Sequence, residues 1–129
     1  ACDPVVADDN YAYVTLRTGN FCAGNSNQLD ILDVSNVMQP KLIKTYPLSN
    51  PHGLALKDPF LYICDGKSGL KVYNVSNKQS IQLKQQLDIE DAFDIIIREN
   101  LALVVGKKGL SQYKIQADGK LAFLSRYGY

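Results

Sequence analysis

One short stretch decides the fold of this chain because it recurs. QLDILDVSN (residues 28–36) returns 41 positions later as GLKVYNVSN (residues 69–77), with the same Val-Ser-Asn ending. A weaker third copy, GLSQYKI (residues 109–115), begins 40 positions after the second. Recurrence at a fixed period of about 40 residues indicates a repeat architecture in which each unit is one small group of secondary-structure elements.

A second set of matching segments precedes these copies. YAYVTLR (residues 11–17), FLYICDG (residues 60–66) and LALVVGK (residues 101–107) occupy equivalent places in the three units. The first two begin 49 positions apart, so the first unit carries eight extra residues within TGNFCAGNSN (residues 18–27). An insertion between two matching segments is typical of a surface loop.

Each unit contains four short segments that are rich in Val, Ile, Leu, Tyr and Phe, and most of them alternate with polar residues at the period of two that is typical of strands. The predicted strands are residues 4–8, 11–17, 28–34 and 41–48, then 52–57, 60–65, 69–75 and 82–89, then 93–98, 101–106, 110–115 and 121–126. Pairs with turn chemistry separate them, among them Asp9-Asn10, Ser76-Asn77 and Asp118-Gly119. No segment has a capped period of 3.6 residues, so the chain is predicted to be all β.

Four antiparallel strands in about 40 residues are typical of a β-propeller blade. We therefore predict one segment, residues 1–129, of three four-stranded antiparallel blades near residues 3–48, 49–89 and 90–127, with the first strand of each blade innermost. The alternative is a β-sandwich or barrel with evenly spaced strands. Three blades make an incomplete propeller, because closed rings have roughly four to eight. The predicted core is Val14, Leu29, Ile31, Leu54, Leu61, Ile63, Val72, Ile95, Leu103 and Val104.

Composition narrows the classes of partner. Of the 129 residues, 46% are hydrophobic and 21% are charged, which is typical of an ordinary globular domain. Fourteen basic and thirteen acidic residues leave a formal charge of +1, so nucleic acid is not an expected partner. No uncharged apolar stretch approaches the roughly 20 residues of a transmembrane helix, so no membrane span is expected in this segment.

Three stretches carry a family resemblance: NQLDILDVSN (residues 27–36), PKLIKTYPLSNPHGL (residues 40–54) and LYICDGKSGLKVYNVSN (residues 61–77). They resemble the LVIVD-repeat β-propellers, found largely as secreted or outer-membrane lipoproteins of Bacteroidetes-type bacteria, with the family motif falling imperfectly on LDILD (residues 29–33). The resemblance implies a bacterial cell-envelope location, periplasm or outer-membrane surface, and a chain that is a C-terminal part of a longer propeller. It brings no established reaction, so it supports a binding or scaffold role.

One rim of the predicted propeller gathers the unusual residues. Loops between the second and third strands of a blade share a rim with the connections between blades, and binding residues collect in such loops on a rigid scaffold. The candidates for contact with a ligand or partner are Arg17, Asn27, Asn50, His52, Asp65 and Asp94. The Arg17 guanidinium has the donor geometry for a carboxylate or sugar hydroxyls, and its alternative role is an interblade salt bridge to Asp65 or Asp94.

The only histidine, His52, follows a proline at the entrance to an innermost strand. A neutral imidazole beside a carboxylate such as Asp65, Asp91 or Asp94 is a common ligand or acid/base arrangement. The alternative function is therefore a metal-assisted hydrolase or lactonase-type propeller enzyme. The simpler interpretation is that His52 bonds backbone at the blade junction. Because no nucleophile elbow or calcium loop occurs, we predict no catalytic residue, metal or cofactor, and the leading hypothesis is a non-catalytic module that presents its loop-rich face to an envelope protein or glycan.

Two further expectations concern covalent and blade contacts. Cys22 lies in the inserted loop and Cys64 ends the equivalent strand of the next blade, so an envelope location predicts a disulfide between them. The alternative is two separate thiols, with Cys64 acting as a small buried hydrophobe.

An open ring leaves two apolar blade faces unpaired. This predicts contact with the remaining blades of the same protein or with a second copy, two copies giving six blades.

Overall fold

The computed structural model of the protein describes residues 4–18 and 26–128. In this part of the chain, twelve strands form three four-stranded antiparallel sheets, so the predicted all-β fold of three blades is confirmed. The strands are β1 (Val5–Ala7), β2 (Tyr11–Leu16), β3 (Gln28–Asp33), β4 (Lys41–Pro47), β5 (Leu54–Lys57), β6 (Phe60–Cys64), β7 (Leu70–Asn74), β8 (Gln82–Leu87), β9 (Asp94–Arg98), β10 (Leu101–Gly106), β11 (Gly109–Ile115) and β12 (Leu121–Gly128). Among the described residues no helix is long and apolar enough to cross a membrane.

Each sheet keeps its strands in chain order, and the three sheets share one irregularity. The pairing of the third and fourth strands shifts at Ile31/Leu32 in the first blade, at Val72/Tyr73 in the second and at Gln112/Tyr113 in the third. A bulge of this kind bends the strand and increases its twist. The three positions are spaced like the sequence repeats, so each blade has the same local geometry at its outer strand.

The turns between strands are stabilised by side chains that bond the following backbone. The Asp33 carboxylate accepts a hydrogen bond from the Ser35 N–H at 2.9 Å, and Asn74 accepts from the Ser76 N–H at the same distance. Asn and Asp favour turns because their short side chains bond their own backbone two residues on. The repeated Val-Ser-Asn endings therefore mark two equivalent turns.

Two apolar cores fill the spaces between the blades, and the first strands β1, β5 and β9 lie next to one another with β5 in the middle. Burial of a large apolar side chain contributes about 1.5 to 3 kcal/mol, so these cores hold the blades together. The core between the first and second blades contains Tyr13, Leu29, Ile31, Leu54, Leu61, Ile63 and Val75. The core between the second and third contains Ala55, Tyr62, Cys64, Leu70, Val72, Ala92, Ile95, Ala102, Val104, Tyr113, Ile115 and Leu121.

Two of the predicted core residues are wrong. Val14 and Leu103 are half-buried, whereas the other eight predicted positions are buried. In β2 the buried neighbours of Val14 are Tyr13 and Thr15, so strand alternation places Val14 on the opposite face. Leu103 lies in the same way on the face of β10 that points away from the second blade. These faces belong to the outer sides of the first and third blades.

Candidate functional site

Hydrogen bonds join the loops and the blade connections into one rim, as the propeller arrangement predicts. Ser68 in the β6–β7 loop donates its hydroxyl to the Ser49 hydroxyl of the β4–β5 connection at 2.8 Å. Ala92 in the β8–β9 connection pairs with Gly66 in an isolated antiparallel bridge. The loops and the blade connections of this rim are therefore hydrogen-bonded to one another.

Asp65 is fully buried, and its carboxylate has internal partners. It accepts hydrogen bonds from the backbone N–H groups of Ser49, at 3.1 Å, and Asn50, at 2.7 Å. The Lys71 ammonium lies 2.7 Å away in an ion pair that is almost entirely shielded from water. A buried carboxylate needs such compensation, so these contacts make Asp65 the anchor of the connection between the first and second blades.

Asn50 and Asn27 also take part in internal contacts. Gly66 has a positive φ of 56°, and a Cβ at this position would lie 3.2 Å from the Asn50 side-chain nitrogen. The Asn27 side-chain oxygen accepts from the Thr18 backbone N–H at 3.0 Å, and its backbone carbonyl accepts from the Leu48 N–H at 3.0 Å. Asn27 thus fixes the end of the inserted loop against the start of the blade connection.

His52 lies at the junction of the first two blades. Its backbone N–H donates to the Cys64 carbonyl at 2.7 Å, and its backbone carbonyl accepts from the Thr15 hydroxyl at 3.0 Å. The ring packs edge-on against Phe93, with centroids 5.4 Å apart. Burial and the nearby Arg17 charge lower the His52 pKa below its usual 6.5, although nearby carboxylates oppose this shift. These bonds involve the His52 backbone, so the role of its imidazole stays a prediction.

Metal-assisted chemistry at His52 would need a set of ligating side chains around it. Within residues 4–18 and 26–128 no group of three His, Cys, Asp or Glu side chains is placed to hold a metal ion. Asp94, one of the carboxylates considered beside His52, accepts from the Ile95 N–H at 2.9 Å and lies against Gly53, where any side chain would overlap it. Arg17 is half-buried directly after β2.

Cys64 lies in the core between the second and third blades. Its thiol is completely buried and has no disulfide partner among the described residues, and burial, followed by the charges of Asp94 and Asp65, raises its pKa well above the usual range. These properties are those of a small buried hydrophobe. Cys22 lies outside the described residues, so its pairing with Cys64 stays a prediction, which alkylation under denaturing conditions without reductant, followed by mass spectrometry, tests.

A groove between the second and third blades was not predicted from the sequence. It encloses about 640 Å³ on the loop-rich rim and is lined by Lys67, Asp88, Ile89, Glu90, Asp91, Gly106, Lys107, Lys108, Gly109, Ser111, Tyr113, Phe123 and Arg126. At its mouth the Glu90 carboxylate lies 3.0 Å from the Lys108 ammonium and 3.5 Å from that of Lys107, which lowers the Glu90 pKa. Phe123 and Tyr113 meet edge to face along one wall, with centroids 5.7 Å apart.

The signal that reveals this groove is a comparison of repeats. Lys71 pairs with Ile63 and Ser111 pairs with Val104, so Ser111 is the counterpart of Lys71 and Gly106 is the counterpart of Asp65. Both replacements shorten the side chain at the junction. Neither Gly nor Ser in a strand suggests a site by itself, which is why the groove is visible only when the blades are aligned.

Three four-stranded blades of one geometry, packed face to face around adjoining inner strands, define a β-propeller type of repeat protein. The family model for the LVIVD repeat matches residues 1–47 and 50–88, which is more than half of the 129 residues, and the chain belongs to this family. The matched residues cover the first two blades, so the third, with its weaker repeat, is assigned to the same architecture by its sheet. No curated protein matches the chain.

Proposed function

We propose that this chain is a non-catalytic binding and scaffold segment of a bacterial cell-envelope propeller. Further blades, from the remainder of the same protein or from a second copy, cover its two open faces, and the loop-rich rim contacts an envelope protein or glycan. The envelope location, the outer-membrane lipoprotein character and the position in the C-terminal part of a longer chain follow from the family resemblance. The main support for the proposal is the pair of outward faces, one on the first blade and one on the third.

The outward face of the third blade is the clearer of the two. Residues that pair directly across antiparallel strands lie on the same face of a sheet. Leu103 pairs with Ile96 on one side and Gln112 on the other, and Leu101, Val105 and Leu110 alternate onto the same face. Ile96 is 59% exposed, although it lies in the middle of a strand. This face therefore presents a row of apolar side chains along β10, with the polar Arg98, Gln112 and Lys114 on the flanking strands.

The outward face of the first blade is similar. Val5 pairs with Val14, and Leu32 pairs with Leu42, which places these four side chains on the face that points away from the second blade. Val5 and Leu42 are 58% and 60% exposed. Asp30 lies on the same face and holds Thr45 by a hydrogen bond of 2.7 Å.

In the second blade the equivalent face is covered. Tyr62, the counterpart of Leu103, is fully buried against the third blade, as are Leu70 and Val72. The same positions in the third blade have no described residue packed over them from another blade. Large exposed apolar patches are rare on soluble monomers and usually mark an interface. The outward faces are thus best explained as contacts with further blades.

Sedimentation velocity of the purified chain over a range of concentrations tests the proposal. We expect mass-action association of the wild type and a shift to monomer in the double variant Ile96→Lys, Leu103→Lys, because two ammonium groups on the face oppose burial. Val37→Lys is the matched control, since Val37 is 85% exposed in a turn between β3 and β4. A monodisperse wild-type monomer at every concentration would overturn cover by a second copy.

A further inference from the structure

The turns between the first and second strands of the blades lie on the rim opposite the loop-rich rim, and two of them share a pattern. The turn between β1 and β2 is Asp9-Asn10, that between β5 and β6 is Asp58-Pro59, and that between β9 and β10 is Glu99-Asn100. The first and third turns therefore join an acidic residue to asparagine, whereas the second has proline in the same place.

The turn of the third blade is bonded by a basic side chain of the second blade. Lys57, the last residue of β5, donates its ammonium to the Glu99 backbone carbonyl at 2.8 Å. Lys57 pairs with Phe60, which packs against the core between the second and third blades, so both residues lie on the face that the third blade covers. A basic residue at the end of an inner strand thus reaches across a blade junction to the turn of the next blade.

Arg98 has the same place in the third blade. It ends β9 and pairs with Leu101, just as Lys57 ends β5 and pairs with Phe60. Arg98 lies on the outward face of the third blade and is exposed. The equivalent residue of the first blade is acidic, so the second and third blades share the basic residue that meets a following turn.

The surroundings of Arg98 also match those of Lys57. Residues 57–60 line a groove whose other wall comes from the third blade, through Asn100, Ile115, Gln116 and Ala117. The counterparts of the first wall, residues 98–101, line a second groove together with Leu103. All described residues that line this second groove belong to the third blade, so it has the form of one half of the junction between the second and third blades.

We propose that a second copy of this chain packs its first blade against the outward face of the third blade, with Arg98 bonded to the Asp9-Asn10 turn of that copy. This contact repeats the one between Lys57 and the Glu99-Asn100 turn, because both join a basic residue to an acidic residue followed by asparagine. The planar guanidinium has donors for a backbone carbonyl and for the Asp9 carboxylate together.

Two-fold symmetry makes the same contact twice. The first blade of each copy meets the third blade of the other, and six blades close the ring, which lies within the usual range for propellers. The inference rests on the proposed function for the role of the outward faces and adds the identity of the partner and the contact that selects it.

Charge on the two outward faces favours contact between unlike faces over contact between like ones. Arg98 and Lys114 both pair with Leu101 on the face of the third blade. The face of the first blade carries Asp30, and Asp9 lies in the turn at its edge. Two third blades packed on each other would bring their basic residues together, and charges of one sign in an interface oppose binding. Head-to-tail packing of the two copies avoids this repulsion.

Charge reversal at both ends of the contact tests the inference. Arg98→Glu and Asp9→Lys are prepared as separate variants of the chain, and both residues are exposed, so neither substitution alters a core. We expect each variant to self-associate about tenfold more weakly than the wild type in sedimentation velocity at low ionic strength, because both junctions of the pair lose their attraction.

An equimolar mixture of the two variants should regain the wild-type association constant. In a pair with one copy of each, one junction keeps Arg98 with Asp9, and the other joins the two substituted positions, whose charges are opposite again. Failure of the mixture to associate more tightly than either variant would overturn the head-to-tail contact. Weakening by Arg98→Glu with Asp9→Lys unchanged would overturn it as well.

Matched controls reverse charges of the same kind away from the outward faces. Arg126 pairs with Ser111 and lines the groove between the second and third blades, and Asp88 lines the same groove. Arg126→Glu and Asp88→Lys should therefore associate like the wild type. A tenfold loss in these controls would mean that net charge and not the Arg98 contact governs association, which would overturn the inference.

Failure of the inference can be told from failure of the proposed function. If Ile96→Lys, Leu103→Lys abolishes association while Arg98→Glu and Asp9→Lys leave it unchanged, the outward faces keep their role and the Arg98 contact is overturned. A wild-type chain that stays monomeric at every concentration would overturn the second copy as the partner, whereas cover by further blades of the same protein would stand.

Discussion

The junction between the first and second blades is closed by a buried ion pair, whereas the junction between the second and third is open at the same place. Each blade connection donates one N–H to the strand behind it, but the backbone differs at Asp91, which has a positive φ of 48°. The side chains differ at two positions, Asp65 against Gly106 and Lys71 against Ser111. A repeat protein can thus change a structural contact into an accessible groove without altering its fold.

The largest expected effect comes from removing the carboxylate at the closed junction. Asp65→Ala should destabilise the chain by roughly 3 to 5 kcal/mol, because it leaves the Lys71 ammonium and two backbone N–H groups without their buried partner. Urea denaturation measures the loss. In the double variant Asp65→Gly, Lys71→Ser, which copies the third blade, part of the stability should return because the uncompensated charge is gone.

Glu90→Ala at the open junction is the matched control. Its carboxylate contacts Lys107 and Lys108 but is exposed, and exposed ion pairs contribute little to stability. We expect almost no change in the urea midpoint. A loss for Asp65→Ala no larger than that for Glu90→Ala would show that the closed junction is not held by its ion pair.

Two tyrosines provide the next comparison. Tyr62 and Tyr13 are equivalent and fully buried, and burial raises the pKa of each to about 12. The Tyr62 hydroxyl donates to the Gly119 carbonyl at 2.6 Å, whereas that of Tyr13 has no partner among the described residues. Tyr62→Phe should therefore cost about 1 kcal/mol in thermal or chemical denaturation, and Tyr13→Phe should be neutral or stabilising. Equal losses would mean that Tyr13 has an acceptor after all.

The smallest expected effect is the pH dependence contributed by His52. Its folded pKa lies below the usual 6.5, so the unfolded chain binds more protons as the pH falls through 6.5. This group therefore lowers the free energy of unfolding on acidification and contributes nothing to the slope well above pH 6.5. Subtracting the pH profile of His52→Gln from that of the wild type isolates the effect. A difference that grows in favour of the wild type at low pH would contradict the direction of the shift.

The fold could be predicted because the repeat signal is redundant. Offsets of 41 and 40 residues appear in the strands, in the turns and in the position of the bulge at Ile31, Val72 and Gln112. The third blade forms the same sheet although GLSQYKI shares little with its counterparts, because a sheet needs apolar residues at alternate positions more than it needs particular residues.

The faces and the site could be predicted only in part. Strands covered on both sides by neighbouring blades read as apolar on both faces, so Val14 could not be assigned to the inner or the outer face from the pattern alone. Asp65 stands out in the sequence, but its inward direction depends on where the Ser49 and Asn50 N–H groups lie. The groove depends on Gly106 and Ser111, and small residues give no sign of what their absent side chains expose.

Carbene footprinting of the purified protein in its native assembly is the most direct test of the central claim. The claim is that the outward faces of the first and third blades are interfaces. Ile96 and Leu42 are 59% and 60% exposed in the chain alone, and Met38, in the turn between β3 and β4, is 84% exposed. If other blades cover the faces, Met38 should be labelled strongly. The labelling of Ile96 and Leu42 relative to Met38 should then be far lower than the ratio of their exposed fractions in the single chain. Labelling of all three residues in proportion to their exposure in the single chain would contradict the role of the faces.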